Sequence, residues 1–227
     1  MEINPFLREN LIISSDDFGI SAKANQNILE LAESGRLDRV AVLINRHYST
    51  NEISRLSASG IKIDLHLDMQ ESSPREGLFG RTLAFVLHYL LGGISTVRVG
   101  KKWDNQLAKF QAVFKKNPDG INSHLHIHFF PPYFKIALKL AEKNKIAYVR
   151  LSRFGLICPG RYVYFILRFF WKINIGLFKK SSLDSSDYFV SFDWIRDFPK
   201  FLEKLPPGKT ELIFHPERED EFEAIKR

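Results

Sequence analysis

The sequence predicts an α/β fold: an irregular or incomplete (β/α) barrel of parallel strands, TIM-barrel-like, in a single domain over residues 1–227. Strand-like apolar runs alternate with helical segments, and this alternation is typical of parallel βαβ units. No glycine-rich phosphate loop follows the first strand, which favours a barrel over a doubly wound open sheet. A chain of 227 residues is long enough for one substantial hydrophobic core.

About seven strand-like segments can be counted along the chain. They are predicted at 11–15, 40–44, 61–67, from 121 onward, 146–151, 188–190 and 211–214. Helices are predicted between them at 21–34, 51–59, 82–91, 103–116, 132–144, 161–178 and 192–205. Ser21 is a suitable N-cap for the first helix, and Gly35 ends that helix. The third strand alternates between apolar and polar side chains, which places Asp64 and His66 on its polar face.

The composition is that of an ordinary globular protein, with 44% hydrophobic and 26% charged residues. A single cysteine, Cys158, excludes an internal disulfide and fits a reducing compartment. The first residues show no basic region followed by an apolar stretch, which argues against a secretory signal. The longest apolar runs are shorter than the ~20 residues that a membrane span needs. We therefore expect a cytoplasmic protein.

Two adjacent acids follow the first strand, in the motif Ser15-Asp16-Asp17-Phe18-Gly19. Catalytic groups of (β/α) folds lie at the carboxyl ends of the strands. Adjacent residues on a strand point to opposite faces, so the two carboxylates serve different roles unless the turn redirects them. One acid can bind a metal ion while the other reaches an attacking water. The alternative is helix capping, because Asp is favoured at N-caps and Gly19 and Ser21 mark a turn.

Histidines lie at the ends of three other strands. His66 ends the third strand, where a single histidine is often a hydrogen-bonded structural residue. His124, His126 and His128 alternate, which predicts three imidazoles on one face of an extended strand; incidental histidines on a polar rim are the alternative. His215 directly follows the last strand and is a candidate general acid. Two acids and at least two imidazoles at one rim are typical of a divalent-metal hydrolase site.

Together these motifs resemble the YdjC-like carbohydrate deacetylase family, most closely its ChbG/HpnK-type group. The resemblance is carried by Ser15 to Gly19, Leu65-His66-Leu67, Ser123-His124-x-His126-x-His128-x-x-Pro131 and His215-Pro216. It implies a barrel-like fold and the metal-dependent removal of an N-acetyl group from an amino sugar of an oligosaccharide or glycolipid. It also implies one divalent metal ion held by Asp17, His66 and His124. Mixed nitrogen and oxygen ligands suit Zn²⁺, and ligand type alone leaves Mg²⁺ open as well.

The same resemblance implies that Asp16 is the catalytic base and His215 the catalytic acid. We expect a further set of residues to bind the substrate: His126, His128 and Arg150. Asn122 departs from the family pattern, which usually has an aspartate there, and this change removes a charged partner of the metal ligands. The segment 217–227 is shorter than the usual family continuation, which leaves open whether the barrel closes and whether activity is full.

Two other functions stay open at this point. A sugar- or lipid-binding protein that keeps the fold but has lost turnover would account for Asn122 and the short final segment. A metal-dependent phosphoesterase would also use clusters of acids and histidines.

All of the excess positive charge lies in one segment, because nine Lys or Arg and no acid occur between 143 and 183. Elsewhere 26 acidic residues outnumber 24 basic ones. Within this segment a stripe about 40° wide is predicted on one helix face, formed by Arg161, Arg168, Lys172 and Lys179. The stripe predicts peripheral contact of 161–180 with an anionic membrane, at its inner face. The alternative is the solvated face of a barrel helix. No recognition motif supports nucleic-acid binding.

Overall fold

A computed structural model describes residues 8–69, 95–157 and 162–226. The strands are β1 Leu11–Phe18, β2 Arg39–Val42, β3 Lys62–Leu67, β4 Gly120–Ser123, β5 Tyr148–Val149, β6 Gly155–Leu156, β7 Tyr188–Ser191 and β8 Thr210–Phe214. The α-helices are α1 Ala22–Glu33, α2 Thr50–Ala58, α3 Thr96–Phe114, α4 Pro131–Lys143, α5 Tyr162–Phe178, α6 Phe198–Leu202 and α7 Glu219–Lys226. Two 3-10 segments lie at His124–Phe129 and Phe192–Trp194.

The eight strands form one parallel sheet in the order β5-β4-β3-β2-β1-β8-β7-β6. Tyr148 of β5 and Glu211 of β8 are separated by four strands in this order, yet their side chains are hydrogen-bonded at 2.5 Å. Such a contact requires the sheet to curl. The two end strands, β5 and β6, are not paired with each other along their length, so the barrel is incomplete. This confirms the predicted fold class.

The helix boundaries follow from local chemistry. The Ser21 hydroxyl accepts a hydrogen bond from the Ala24 amide and begins α1. Ser49 and Glu52 form a capping box at the start of α2. Pro131 occupies the first turn of α4, where its missing N–H costs nothing. The helices then pack buried apolar faces on the sheet, with residues such as Ile28, Leu56, Trp103 and Phe134 inaccessible to solvent.

Several predicted boundaries are wrong. The helix expected at 192–205 is a 3-10 turn followed by the short α6, because Pro199 is tolerated in a first helical turn but not in a helix interior. The strand expected at 146–151 is reduced to Tyr148–Val149, and the strand β6 was missed because Gly155–Leu156 is too short to show a pattern. Helix α3 begins at Thr96 rather than at 103. The helix expected at 82–91 lies outside the described residues.

Within the described ranges, no helix combines the length and hydropathy that crossing a membrane requires.

Candidate active site

The polar motifs that end β1, β3, β4 and β8 converge on one cavity at the carboxyl rim of the sheet. Its volume is about 720 Å³, including the part that is open to solvent. Five of its lining residues were predicted as catalytic or metal-binding: Asp16, Asp17, His66, His124 and His215. The rest of the lining consists of Leu125, His126, Val163, Ser191, Asp193, Trp194 and Arg218. Residues 199 positions apart in sequence therefore share one cavity.

Asp17, His66 and His124 form a compact cluster of metal-binding side chains. The Asp17 Oδ1 atom lies 2.8 Å from His124 Nδ1 and 3.2 Å from His66 Nε2. One ligand atom of each residue lies within 4.8 Å of the other two. Asp17 adopts a left-handed backbone conformation with φ of 69°, which turns its carboxylate relative to that of Asp16. One carboxylate and two imidazoles fit a divalent ion that keeps open positions for water and substrate.

A buried amide orients one of these imidazoles. The Nδ1 atom of His66 is 2.5 Å from Oδ1 of Asn122, so Nδ1–H donates to the amide oxygen. The Nε2 atom then keeps its lone pair for a metal ion and lies on the side of Asp17. A metal-binding histidine usually donates its second N–H to such an acceptor. Asn122 therefore keeps the hydrogen bond that the family aspartate would provide but lacks its charge, and its own Nδ2 atom is buried without a hydrogen-bond partner among the described residues.

Asp16 is held by a buried arginine. Both Nη atoms of Arg150 donate to the Asp16 carboxylate, at 2.7 and 2.8 Å, and neither residue is more than 2% exposed. Burial alone would raise the pKa of Asp16, but the charge and hydrogen bonds of Arg150 outweigh it and hold this pKa well below its ordinary value. Asp16 is thus an oriented, ionised carboxylate in the wall of the cavity.

Glu211 supports Arg150 from the other side. Arg150 Nε donates to Glu211 Oε1 at 2.9 Å, and the Ser14 hydroxyl donates to the same oxygen at 2.8 Å. The Tyr148 hydroxyl donates to Oε2. One buried cation thus bridges two buried carboxylates, and every oxygen of both carboxylates has a donor.

His215 is paired with an acid from the following helix. The His215 amide donates to Glu221 Oε2 at 2.6 Å, and the Nδ1 atom lies 3.5 Å from that oxygen. Burial lowers the pKa of His215, but the Glu221 carboxylate, with Asp17 and Asp16, raises it to about 9. The imidazole is therefore protonated at neutral pH, as a general acid must be.

The three histidines after β4 do not share the face of an extended strand, so that prediction is wrong. Leu125 and His126 adopt left-handed conformations, with φ of 55° and 52°, and fold the chain into a 3-10 segment. The Ser123 hydroxyl accepts the His128 amide at 2.9 Å and closes this turn. As a result His124 joins the metal cluster, His126 lines the cavity and His128 turns into the interior.

Two residues expected to bind substrate, His128 and Arg150, lie behind the cavity wall and are fully buried. His128 Nδ1 lies 2.6 Å from the Ser123 hydroxyl, and Nε2 lies 2.7 Å from the Arg150 carbonyl oxygen. Burial lowers the His128 pKa to about 3, so the ring is neutral and both nitrogens are occupied. The third residue, His126, does line the cavity, and burial followed by the charge of Arg150 lowers its pKa well below the ordinary value.

The capping alternative for the acidic pair is wrong, because Ser21 caps α1 with its own hydroxyl. The cavity residues Asp193, Trp194 and Arg218 are not among the residues predicted from the sequence. Asp193 and Trp194 directly follow β7, so their place at the carboxyl end of a strand was a usable signal. For Arg218 and for Glu221, which contacts His215, the sequence offers no comparable signal.

The model of the YdjC-like protein family matches residues 10–227 of this chain. The chain is 28% identical over 153 residues to a chitooligosaccharide deacetylase of Escherichia fergusonii, a match covering 63% of this chain and 59% of that relative. It is also 22% identical to a carbohydrate deacetylase of Mus musculus, over 93% of this chain and 79% of the relative. The match to the first relative thus spans about three fifths of its length.

A solved structure from Enterococcus faecalis V583 has a similar fold. That protein is provisionally described as a cellobiose-phosphate cleavage protein. The TM-score is 0.60 at 17% identity, over 90% of this chain and 80% of that one. At this identity the likeness concerns the fold alone.

Proposed function

Because the chain belongs to the YdjC-like protein family, we propose that it is a metal-dependent hydrolase that removes an N-acetyl group from an amino sugar. The observation that carries this proposal is the presence of three distinct functional groups in one cavity. These are a triad suited to a divalent ion, an ionised carboxylate at Asp16 and a protonated imidazole at His215. Amide hydrolysis needs such a set, because water must lose a proton and the departing amine must gain one.

Asp17, His66 and His124 would hold the ion. When bound there, a divalent ion supplies a Lewis acid for the amide carbonyl and a water of lowered pKa. Two nitrogen ligands beside one carboxylate favour Zn²⁺ over Mg²⁺, which prefers oxygen ligands. The hydrogen bond from His66 to Asn122 fixes the ring with Nε2 directed to the triad. This arrangement argues against the alternative of a homologue that has lost its metal site through Asn122.

Asp16 takes the proton of the attacking water. Because Arg150 keeps its pKa low, Asp16 is a weak base and accepts a proton only from a water that is itself acidified. The two hydrogen bonds from Arg150 hold the carboxylate in one orientation, which lowers the entropic cost of the proton transfer.

His215 gives its proton to the departing nitrogen as the C–N bond breaks. Acetate and a free amine are the products. The raised pKa of His215 keeps this proton available at neutral pH, and Glu221 stabilises the imidazolium before transfer. Trp194 and Leu125 offer apolar surface in the same cavity for the face of a sugar ring.

Acetate release from a panel of N-acetylated sugars, free and lipid-linked, tests the proposal. Metal content should fall in Asp17→Ala, His66→Ala and His124→Ala. Asp16→Asn should keep the metal but lose turnover, with circular dichroism confirming that the variant is folded. Asp17→Asn is the matched control, because it makes the same carboxylate-to-amide change at the neighbouring acid. Phosphate release without acetate release would assign a phosphoesterase instead, and failure to bind any divalent ion would refute the enzyme.

The proposal extends to location. We expect the substrate to be a glycan or glycolipid close to the inner face of an anionic membrane, contacted through 161–180. Arg161 lies outside the described residues, whereas Arg168 and Lys172 are exposed on α5 and Lys179 is exposed directly after it.

A further inference from the structure

Helix α5 presents two opposite surfaces. At 100° per residue, the buried side chains Tyr164, Leu167, Asn174 and Phe178 fall on one arc about 80° wide. This arc packs on the barrel: the Asn174 amide donates to the Phe129 carbonyl oxygen at 2.6 Å. The opposite arc faces away from the barrel and carries exposed apolar and basic side chains.

Half of the outward arc is apolar. Phe165 is 61% exposed, Phe169 is 60% exposed and Ile173 is 46% exposed. Their spacing of four residues puts them in one row along the helix. Ile166, also on α5, is 37% exposed, whereas the exposed Phe154, just before β6, and Val97, on α3, lie outside this helix. A row of accessible aromatic and aliphatic side chains on one helix is costly in water unless something covers it.

The other half of the outward arc is basic. Arg168, Lys172 and Lys179 are exposed and fall beside the apolar row, within about 40° of one another. The described residues place no carboxylate at ion-pair distance from these three side chains, although the Arg168 guanidinium donates to the Tyr164 hydroxyl at 2.7 Å. The residues 162–178 include no acid. The apolar row is thus flanked on one side by an uncompensated positive stripe.

This surface adjoins the mouth of the cavity. Val163, in the first turn of α5, lines the cavity. The Tyr164 ring contacts that of Trp194, another lining residue, with a centroid distance of 6.4 Å. Phe165 is therefore two positions from a cavity-lining residue, on the opposite side of the same helical turn.

We propose that the outward α5 surface, formed by Phe165, Arg168, Phe169, Lys172 and Ile173, docks on an anionic phospholipid surface. An apolar row beside a basic stripe matches a lipid interface, where apolar side chains enter the acyl boundary while cations contact the headgroups. A second copy of the chain fits this surface poorly, because symmetric pairing would bring two positive stripes together. This docking adds a location to the proposed function. It rests on the proposed function in one respect only, namely that the group reaching the cavity is an amino sugar.

Co-sedimentation with vesicles tests the docking. Vesicles of phosphatidylglycerol mixed with phosphatidylcholine should bind the protein, whereas phosphatidylcholine alone should bind it weakly. High salt should release it, since the Debye length shortens. Arg168→Gln and Lys172→Gln should each weaken binding about fivefold. Lys135→Gln/Lys139→Gln is the matched control, because both lysines are exposed on α4 and their removal should leave vesicle binding unchanged.

Phe165→Ser/Phe169→Ser should also reduce binding, with Val97→Ser as the control for an exposed apolar residue elsewhere. Acetate release from a soluble N-acetylated sugar should stay unchanged in all of these variants, which separates a failure of docking from a failure of the proposed function. Equal recovery with both kinds of vesicle would overturn the docking proposal. Two other results would also overturn it: a marked drop in Tm for the Phe165→Ser/Phe169→Ser variant, or a smaller assembly for this variant than for the native protein in size-exclusion chromatography. Either result would mean that the apolar row is covered by protein and not by lipid.

Discussion

Replacing Arg150 with methionine should cost about 3–5 kcal/mol of folding free energy. Methionine approximates the aliphatic stem of arginine but donates no hydrogen bond. The change removes two hydrogen bonds to Asp16 and one to Glu211, and it leaves two carboxylates buried without their cation. Three bonds to charged groups, each worth about 1.5–3 kcal/mol, would give a larger total if they were independent. They share one guanidinium, so the lower range is the better expectation.

Urea unfolding at neutral pH measures this loss. Arg153→Met is the matched control, because Arg153 is half exposed and pairs with the exposed Asp184; it should cost less than about 1 kcal/mol. Adding Glu211→Gln to Arg150→Met removes one of the two orphaned charges and should recover part of the stability. If Arg150→Met cost no more than the Arg153→Met control, the buried bridge would not contribute to stability as we have argued.

The pH dependence has a defined sign. The folded pKa of Asp16 lies below the unfolded value of 3.8, so its pairing stabilises the protein above that value and is lost as the pH falls through the folded pKa. In Arg150→Met the largest lowering influence is removed, so the pKa of the buried Asp16 rises, although the charges of His66 and His215 still lower it. The difference in the free energy of unfolding between the native protein and the variant should therefore become smaller in acid. A gap that widened in acid would contradict the assignment of Arg150 as the partner that keeps Asp16 ionised.

Three further changes test individual contacts. Glu221→Gln should move the alkaline limb of kcat/KM to lower pH, because the His215 pKa of about 9 depends on that carboxylate and activity is lost as the imidazole deprotonates; an unmoved limb would argue against His215 as the acid. Asn122→Ala should weaken Zn²⁺ binding roughly 10–100-fold in calorimetry, since His66 loses its acceptor, whereas Asn122→Asp should not weaken it. His128→Ala should destabilise the fold by about 1–3 kcal/mol in urea while leaving KM unchanged; a large change in KM would place His128 against the substrate after all.

Much of the fold could be predicted because its signals are local. The alternation of apolar runs and helices is visible without any partner strand, and so are caps such as Ser21. The shortest elements could not be found in this way. Gly155–Leu156 is a strand only because β7 pairs with it, and two residues carry no periodicity of their own. Pro199 is a local signal against a long helix at 192–205, because proline is not tolerated in a helix interior, and it predicts two shorter elements there.

The candidate site was predicted less evenly. The sequence placed Asp17, His66 and His124 at strand ends, and they share one cavity because parallel strands end at one rim. The left-handed turn at Leu125 and His126 carries little sequence signal, because leucine rarely adopts that conformation and the preference of histidine for it is modest. The environment of each histidine after β4 could therefore not be predicted from the local sequence.

The buried bridge between Asp16 and Arg150 joins residues 134 positions apart. Composition cannot show whether a charged side chain faces water or another charge. Arg150 was for that reason expected to contact the substrate, whereas its guanidinium is fully enclosed by Asp16 and Glu211. Such long-range pairing is visible only once the sheet has curled.

The order of strands in the sheet has a consequence for synthesis of the chain. The metal-binding triad is complete by His124, and Arg150, which compensates Asp16, follows directly after β5. A chain leaving the ribosome folds its N-terminal part first. In this sheet β6 and β7 are connected to β1 only through β8, so they cannot join the strands made earlier until β8 pairs with β1. Glu211, the shared acceptor of Ser14, Tyr148 and Arg150, also comes only with β8. We therefore expect the catalytic centre, to which His215 contributes from the end of β8, to be completed only when that strand is in place.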